Sequence, residues 1–174
     1  MKYAGLALVL AFACHAKPAE PDGIGPYQFG HTTAANIHDG NCEPTELRDG
    51  RKAIWCFALH PIKVGTRVAE VDTYFSLAPP YTTATAPLIE IQLKVRGCIE
   101  DEADQWMRAR FGPPIETKST REYWKNSFVW AAALLPSEPG RCLIHLLPLS
   151  ENAEIDRIKR EADGGSGSAT GSGN

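Results

Sequence analysis

Residues 42–57 read CEPTELRDGRKAIWCF, and this stretch decides the fold. Asp49-Gly50 lies between two strand-like runs, the strongest short-range signal for a β-hairpin. A two-residue loop would set Cys42 opposite Phe57. A three-residue loop, Arg48-Asp49-Gly50, puts Gly50 at the left-handed position of a bulged turn. Leu47 then faces Arg51, and Cys42 faces Cys56. Counting outward, 44/54 and 42/56 are non-hydrogen-bonded pairs. Pro44, which has no N–H, fits such a slot on an edge strand. The Cα separation of such a pair is within disulfide range. Cys42–Cys56 follows, and Cys98–Cys142 by elimination.

The elimination needs an even pool, and the chain has five cysteines. The fifth is Cys14, at the end of an apolar run that starts after Lys2. That run is about ten residues, and a membrane-spanning helix needs roughly twenty. One Lys, a short apolar stretch and small residues at its end describe a secretory leader. Four cysteines in an exported domain read as disulfides. Their chain-entropy contribution is about 3 kcal/mol for the shorter loop and about 4 kcal/mol for the longer one.

Leu10-Ala11-Phe12-Ala13-Cys14 resembles the lipobox of bacterial lipoproteins. There the leader is cut before the cysteine and the new N-terminus is acylated. The resemblance implies lipidation at Cys14, and with His15 as the next residue, an outer-membrane anchor facing the periplasm or the surface. The same Ala11-Phe12-Ala13 also fits an ordinary cleavage site, so plain secretion stays open.

Outward from the hairpin, residues 68–77 alternate as a strand. Residues 79–87 form a proline-bounded loop. Residues 88–97, LIEIQLKVRG, alternate most cleanly: Ile89, Ile91, Leu93 and Val95 are expected to point inward, with Glu90, Gln92, Lys94 and Arg96 on a solvated face. A helix is expected at about 100–111, with Glu100, Asp101, Glu102 and Asp104 near its positive end and Gly112-Pro113 stopping it. Residues 127–135 and 141–147 are apolar on both faces and predict a central hairpin. A last amphipathic helix is expected at 151–162, capped by Ser150, with Ile155, Ile158 and Ala162 as its stripe. The expected class is α+β: an antiparallel sheet with one or two helices packed on one face. A Phe-Gly break followed by a cysteine-bearing hairpin occurs in each half, an echo that allows two related halves.

The expected organisation is a signal peptide at 1–13, a flexible tether at 14–28, one domain at 29–162, and a disordered Gly/Ser tail at 163–174. A single domain of roughly 135 residues is an ordinary size. Net charge is −3 without a basic cluster, which argues against nucleic-acid binding.

Motifs for chemistry are sparse. There is no G-x-S-x-G, S-x-x-K, phosphate-binding loop or H-E-x-x-H. His31, His38 and Asp39 sit with Cys42 in a polar stretch that lacks metal-ligand spacing. The acidic run 100–104 lacks calcium-loop spacing. His145 lies in an apolar strand and reads as a satisfied structural histidine. No catalytic residue, metal or cofactor is expected. Tyr123, Trp124 and Lys125 follow a polar loop. As an exposed aromatic pair with a cation, they would suit a partner-binding patch; the alternative is that Trp124 and Trp130 both pack in the core.

Phe111-Gly112-Pro113-Pro114 with Tyr123-Trp124 resembles small bacterial envelope proteins of the BamE (SmpA/OmlA) type and the related β-lactamase-inhibitor-like fold. The resemblance implies helix on antiparallel sheet and a protein-binding role. Two disulfides and a longer N-terminal half depart from it. The expectation is an exported, lipid-anchored envelope protein without catalytic activity that binds another envelope protein. A periplasmic inhibitor or ligand-binding module, or a hydrolase with an unrecognised site, are the alternatives. Cys14→Ser is expected to move the protein from the membrane to the soluble fraction with both disulfides intact by non-reducing peptide mapping. Retention in the membrane would contradict the lipid anchor.

Overall fold

The turn at Asp49-Gly50 sets the expected register. In the computed structural model, which describes residues 20–138 and 140–164, Leu47 N–H donates to Arg51 O at 2.8 Å and Gly50 N–H donates to Leu47 O at 2.9 Å. Gly50 has φ +83°, the left-handed region that favours glycine. Cys42 therefore stands opposite Cys56 and is bonded to it, with Cα atoms 4.1 Å apart. Cys98 and Cys142 form the second disulfide. The leader, Cys14 and the Gly/Ser run from residue 165 lie outside the described residues.

In chain order, β1 (Gly23–Ile24) and β2 (Tyr27–Gln28) form a small ladder of their own. Next come β3 (Asn41–Glu46), β4 (Lys52–Phe57), β5 (Ile62–Val64), β6 (Arg67–Ser76) and β7 (Leu88–Arg96). Helix α1 (Glu100–Phe111) follows. Then come β8 (Glu116–Lys118), β9 (Arg121–Lys125), β10 (Val129–Glu138) and β11 (Arg141–Pro148), and helix α2 (Asn152–Gly164). Nine strands make one sheet in the order β3-β4-β6-β7-β11-β10-β9-β8, with β5 beside β6. Each half is a meander followed by a helix, and the two meanders join where β7 pairs antiparallel with β11.

Both faces of the sheet are used, because β10 and β11 are apolar on both sides. Val129, Ala131, Ala133, Cys142, Ile144 and Leu146 face the main core, where α1 places Ala103 and Met107. Ala132 and Leu147 face the other way and meet Ile155 and Ile158 of α2. The fold class is as expected, and the two helices lie on opposite faces. We call the α2 side the outer face.

Several expectations are corrected. The tether does not extend to residue 28: Ile24, Tyr27 and Phe29 are buried in the main core. The polar stretch before Tyr123 is the β8–β9 hairpin, with Lys118 opposite Arg121 and Ser119 at φ +55°. Its outer strand is exposed throughout, so no hydrophobic alternation marks it. Ser150 does not cap α2 but lies in a 3-10 turn, Leu149–Glu151, before it.

The inward pattern of β7 is shifted by a bulge. Tyr74 pairs with Glu90 but Phe75 pairs with Leu88, so Ile89 is the extra residue. Leu88 joins Ile91, Leu93 and Val95 in the main core. A bulge of this kind re-aims side chains on one strand, and Ile89 lines a cavity on the outer face instead.

One buried position on the core side is polar. Thr73 is 0% exposed, and its hydroxyl finds no hydrogen-bond partner among the described residues. Removing an unsatisfied buried hydroxyl relieves its desolvation cost. Thr73→Val is expected to stabilise the fold by about 1 kcal/mol, raising Tm by roughly 3 °C in thermal unfolding followed by circular dichroism. A lower Tm would contradict this.

Candidate binding face

The outer face of β4, β6, β7 and β11 carries the site, because strand alternation sends one set of side chains there. The registers align them in rows. Trp55 stands opposite Tyr74, and Tyr74 opposite Glu90. Asp72 stands opposite Gln92, and Gln92 opposite His145.

Hydrogen bonds tie the rows together. Trp55 Nε1–H donates to Asp72 Oδ2 at 3.0 Å, and Lys94 Nζ donates to the same oxygen at 2.5 Å. Gln92 Nε2 donates to Glu90 Oε1 at 2.9 Å. His145 Nδ1 lies 2.6 Å from that same Glu90 oxygen. Glu90 and His145 are buried, so the expectation of a solvated face on β7 fails at Glu90. A buried carboxylate is tolerable only with such partners.

Burial pushes the Glu90 carboxyl up. The hydrogen bond and charge of His145, with smaller help from Gln92 and Arg157, more than offset this and hold it below the usual carboxylate range. Burial, followed by the nearby Glu90 and Asp72 carboxylates, pushes the Tyr74 phenol up to about 12. Tyr74 is thus a neutral hydroxyl near neutral pH.

The face divides into a roofed end and an open end. At the roofed end α2 and the β3–β4 turn meet. Arg51 Nη2 bonds Glu151 Oε2 at 2.7 Å, and Arg48 Nη1 bonds both Glu161 oxygens at 2.9 Å. Beneath them is a cavity of about 270 Å³ lined in part by Tyr74, Ile89, Glu90, Gln92 and Leu147. At the open end no helix among the described residues covers Trp55 and Phe57, whose ring centroids are 4.4 Å apart. Both are half-buried. Charged pairs border them: Lys94 with Asp72 and Arg96 with Glu70 at 3.0 Å.

Comparison with protein-family models, with curated proteins and with solved structures returned no match. The reading of the face therefore rests on its own chemistry.

The residues expected to bind a partner are placed differently. Tyr123 is 2% exposed and Trp124 is 0% exposed, so neither offers a contact surface. Trp124 enters the main core, and its Nε1–H donates to Gly112 O at 3.0 Å. Tyr123 faces α2, with Lys159 Nζ 4.8 Å above its ring. Lys125 is exposed and lies over the Trp130 ring at 4.3 Å. The patch is a packing device because β9 is covered on both faces.

His31, His38 and Asp39 line a separate surface cavity with Tyr27. Among the described residues no group of His, Cys, Asp or Glu is arranged to hold a metal ion. The acidic start of α1 has a structural job beyond the dipole: Glu102 accepts from Thr66 N–H at 2.8 Å and from its hydroxyl at 2.6 Å, pinning the helix to the β5–β6 turn. The Glu90–His145 pair escaped sequence reasoning because the two residues are far apart in the chain. Its only trace was a histidine inside an apolar strand.

The depressed Glu90 gives a pH dependence with a definite sign. In the acid range the unfolded chain binds more protons at this residue than the folded one. Its contribution is complete above the ordinary carboxylate range and is lost as pH falls through the folded value. Urea unfolding should therefore show a loss of stability between about pH 6 and about pH 3 that is smaller in Glu90→Gln than in the parent. Equal losses would contradict the assignment.

Proposed function

We propose that this chain is an exported, non-catalytic protein of the bacterial cell envelope. A lipid on Cys14 holds it at the outer membrane, and it binds an envelope protein on the open end of its outer sheet face. The leader motivates the address, and two disulfides are compatible with an oxidising compartment.

The observation that carries the binding reading is the half-buried Trp55–Phe57 pair at the open end of a sheet face whose other end is roofed by α2. A large aromatic platform bordered by charges is the composition of interface hot spots. The charges on the strip are already paired with one another. A partner with its own paired rim can dock there without leaving an isolated charge buried.

No reaction is assigned. The imidazole of His145 is engaged by the Glu90 carboxylate, itself held by the Gln92 amide, so the cluster is an acid–imidazole–amide set. A nucleophile that would turn it into a hydrolytic centre is not part of it.

Site-specific photocross-linking in intact cells tests the docking face. A benzophenone side chain at position 57 or 94 is expected to give the same protein adduct, identified by mass spectrometry. The same group at Gln105, exposed on α1 on the opposite side, is expected to give none. Equal adducts from all three positions, or none from 57 and 94, would overturn the proposal.

A further inference from the structure

The cavity at the roofed end has chemistry of its own, separate from partner docking on the open strip. At about 270 Å³ it is near the small end of ligand pockets. Its floor is the buried Glu90, whose side chain is 9% exposed. Among the described residues both hydrogen bonds to this carboxylate, from His145 and Gln92, end on Oε1. That leaves Oε2 as the acceptor on a carboxylate that lines the cavity and is held ionised by its surroundings.

The cations around the cavity are already taken. Arg51 is paired with Glu151 and also with Asp49 at 2.6 Å. Arg48 is paired with Glu161, and Arg157 with Glu154 and Glu161. Three guanidiniums thus meet four carboxylates before Glu46 and Glu90 are considered. The hydrogen bonds that Arg51 donates to Glu151 and Arg157 donates to Glu154 hold both guanidiniums more firmly protonated than usual. Arg157 Nη1 is buried without a hydrogen-bond partner among the described residues, but Glu161 Oε1 lies 2.5 Å away and balances its charge. An anionic ligand would compete with these carboxylates, whereas a cation completes the balance.

The walls add a second requirement. Ile89, turned here by the β7 bulge, and Leu147 are apolar and buried. Tyr74 adds an aromatic ring that stays uncharged. An ammonium bound to Glu90 gains a charge-assisted hydrogen bond in a shielded site. A nearby aromatic face attracts the same charge, and the apolar walls suit a short methylene chain.

We infer that this cavity is a binding site for a small alkylammonium compound, a short diamine in particular, with one ammonium on Glu90 and its chain against Ile89 and Leu147. The second ammonium reaches the rim, where Glu46 is exposed.

The test uses the disulfide-intact protein with cadaverine as probe, and pentanediol and glutarate as neutral and anionic analogues of similar length. Calorimetry is expected to show saturable cadaverine binding, with the two analogues at least about tenfold weaker. Amide shifts in nitrogen-15 spectra should concentrate at residues 45–48, 74, 89–92 and 147. Glu90→Gln should weaken binding by about tenfold or more. Because that change also touches His145, Glu46→Lys serves as a surface variant that leaves the core alone, expected to weaken binding about threefold. No saturable binding, equal binding of pentanediol, shifts centred elsewhere, or indifference to both substitutions would each overturn the inference.

Discussion

The antiparallel pairing of β7 with β11 is the contact on which everything else depends. It is the only ladder between the two meanders among the described residues. Six residue pairs run from Arg96–Arg141 to Ile91–Leu146. On the core side, Ile91, Leu93 and Val95 meet Ile144 and Leu146, all fully or nearly fully buried. Forming this long-range ladder requires closing the chain over α1 and three strands, an entropic cost that local hairpins avoid. The Cys98–Cys142 bond, spanning 44 residues, restricts the unfolded chain across that loop, and Cys98 N–H bonds Gly140 O at 3.2 Å beside it. The staple sits where the two halves would otherwise separate.

The seam also accounts for the face proposed to bind. With β7 and β11 central, β10 and β9 extend the sheet on one side and β6 and β4 on the other. On the first side Tyr123, Ala132 and Leu147 form a buried apolar cluster on the outer face with Ile155 and Ile158, so α2 packs there and, among the described residues, leaves the Trp55–Phe57 strip uncovered. Edge strands are kept from further pairing by composition. Pro44 removes a donor from β3 and the exposed β8 carries Glu116 and Lys118, features that discourage edge-to-edge association. Binding is thereby directed to the face and away from the edge.

How much was legible in the sequence depended on whether a feature was local. The first hairpin was readable to the register of its disulfide, because Asp49-Gly50 and two cysteines fix it without reference to the rest of the chain. Helix α1 was readable from its acidic start and its Gly112 stop. The second disulfide followed from parity. By contrast, the Ile89 bulge exists only relative to β6, so alternation alone placed Ile89 with Ile91. Glu90 looked like a solvent residue because its partner His145 comes from a distant strand. Tyr123 and Trp124 suited an exposed patch until α1 and α2 were placed on opposite faces. The cavity was hidden for the same reason: its floor and roof come from the hairpin turn, the bulge, β11 and α2, brought together only by tertiary structure.

Native-state hydrogen exchange tests the central role of the seam most directly. The structure predicts that amides bonded across β7 and β11, within 91–96 and 141–146, exchange only through global unfolding and are among the slowest in the chain. Helix α2, held by a narrow stripe and surface ion pairs, should open at lower free energy. If the seam amides exchanged by local opening while β4–β6 and β9–β10 each stayed protected, the halves would be independent units and the account would be contradicted.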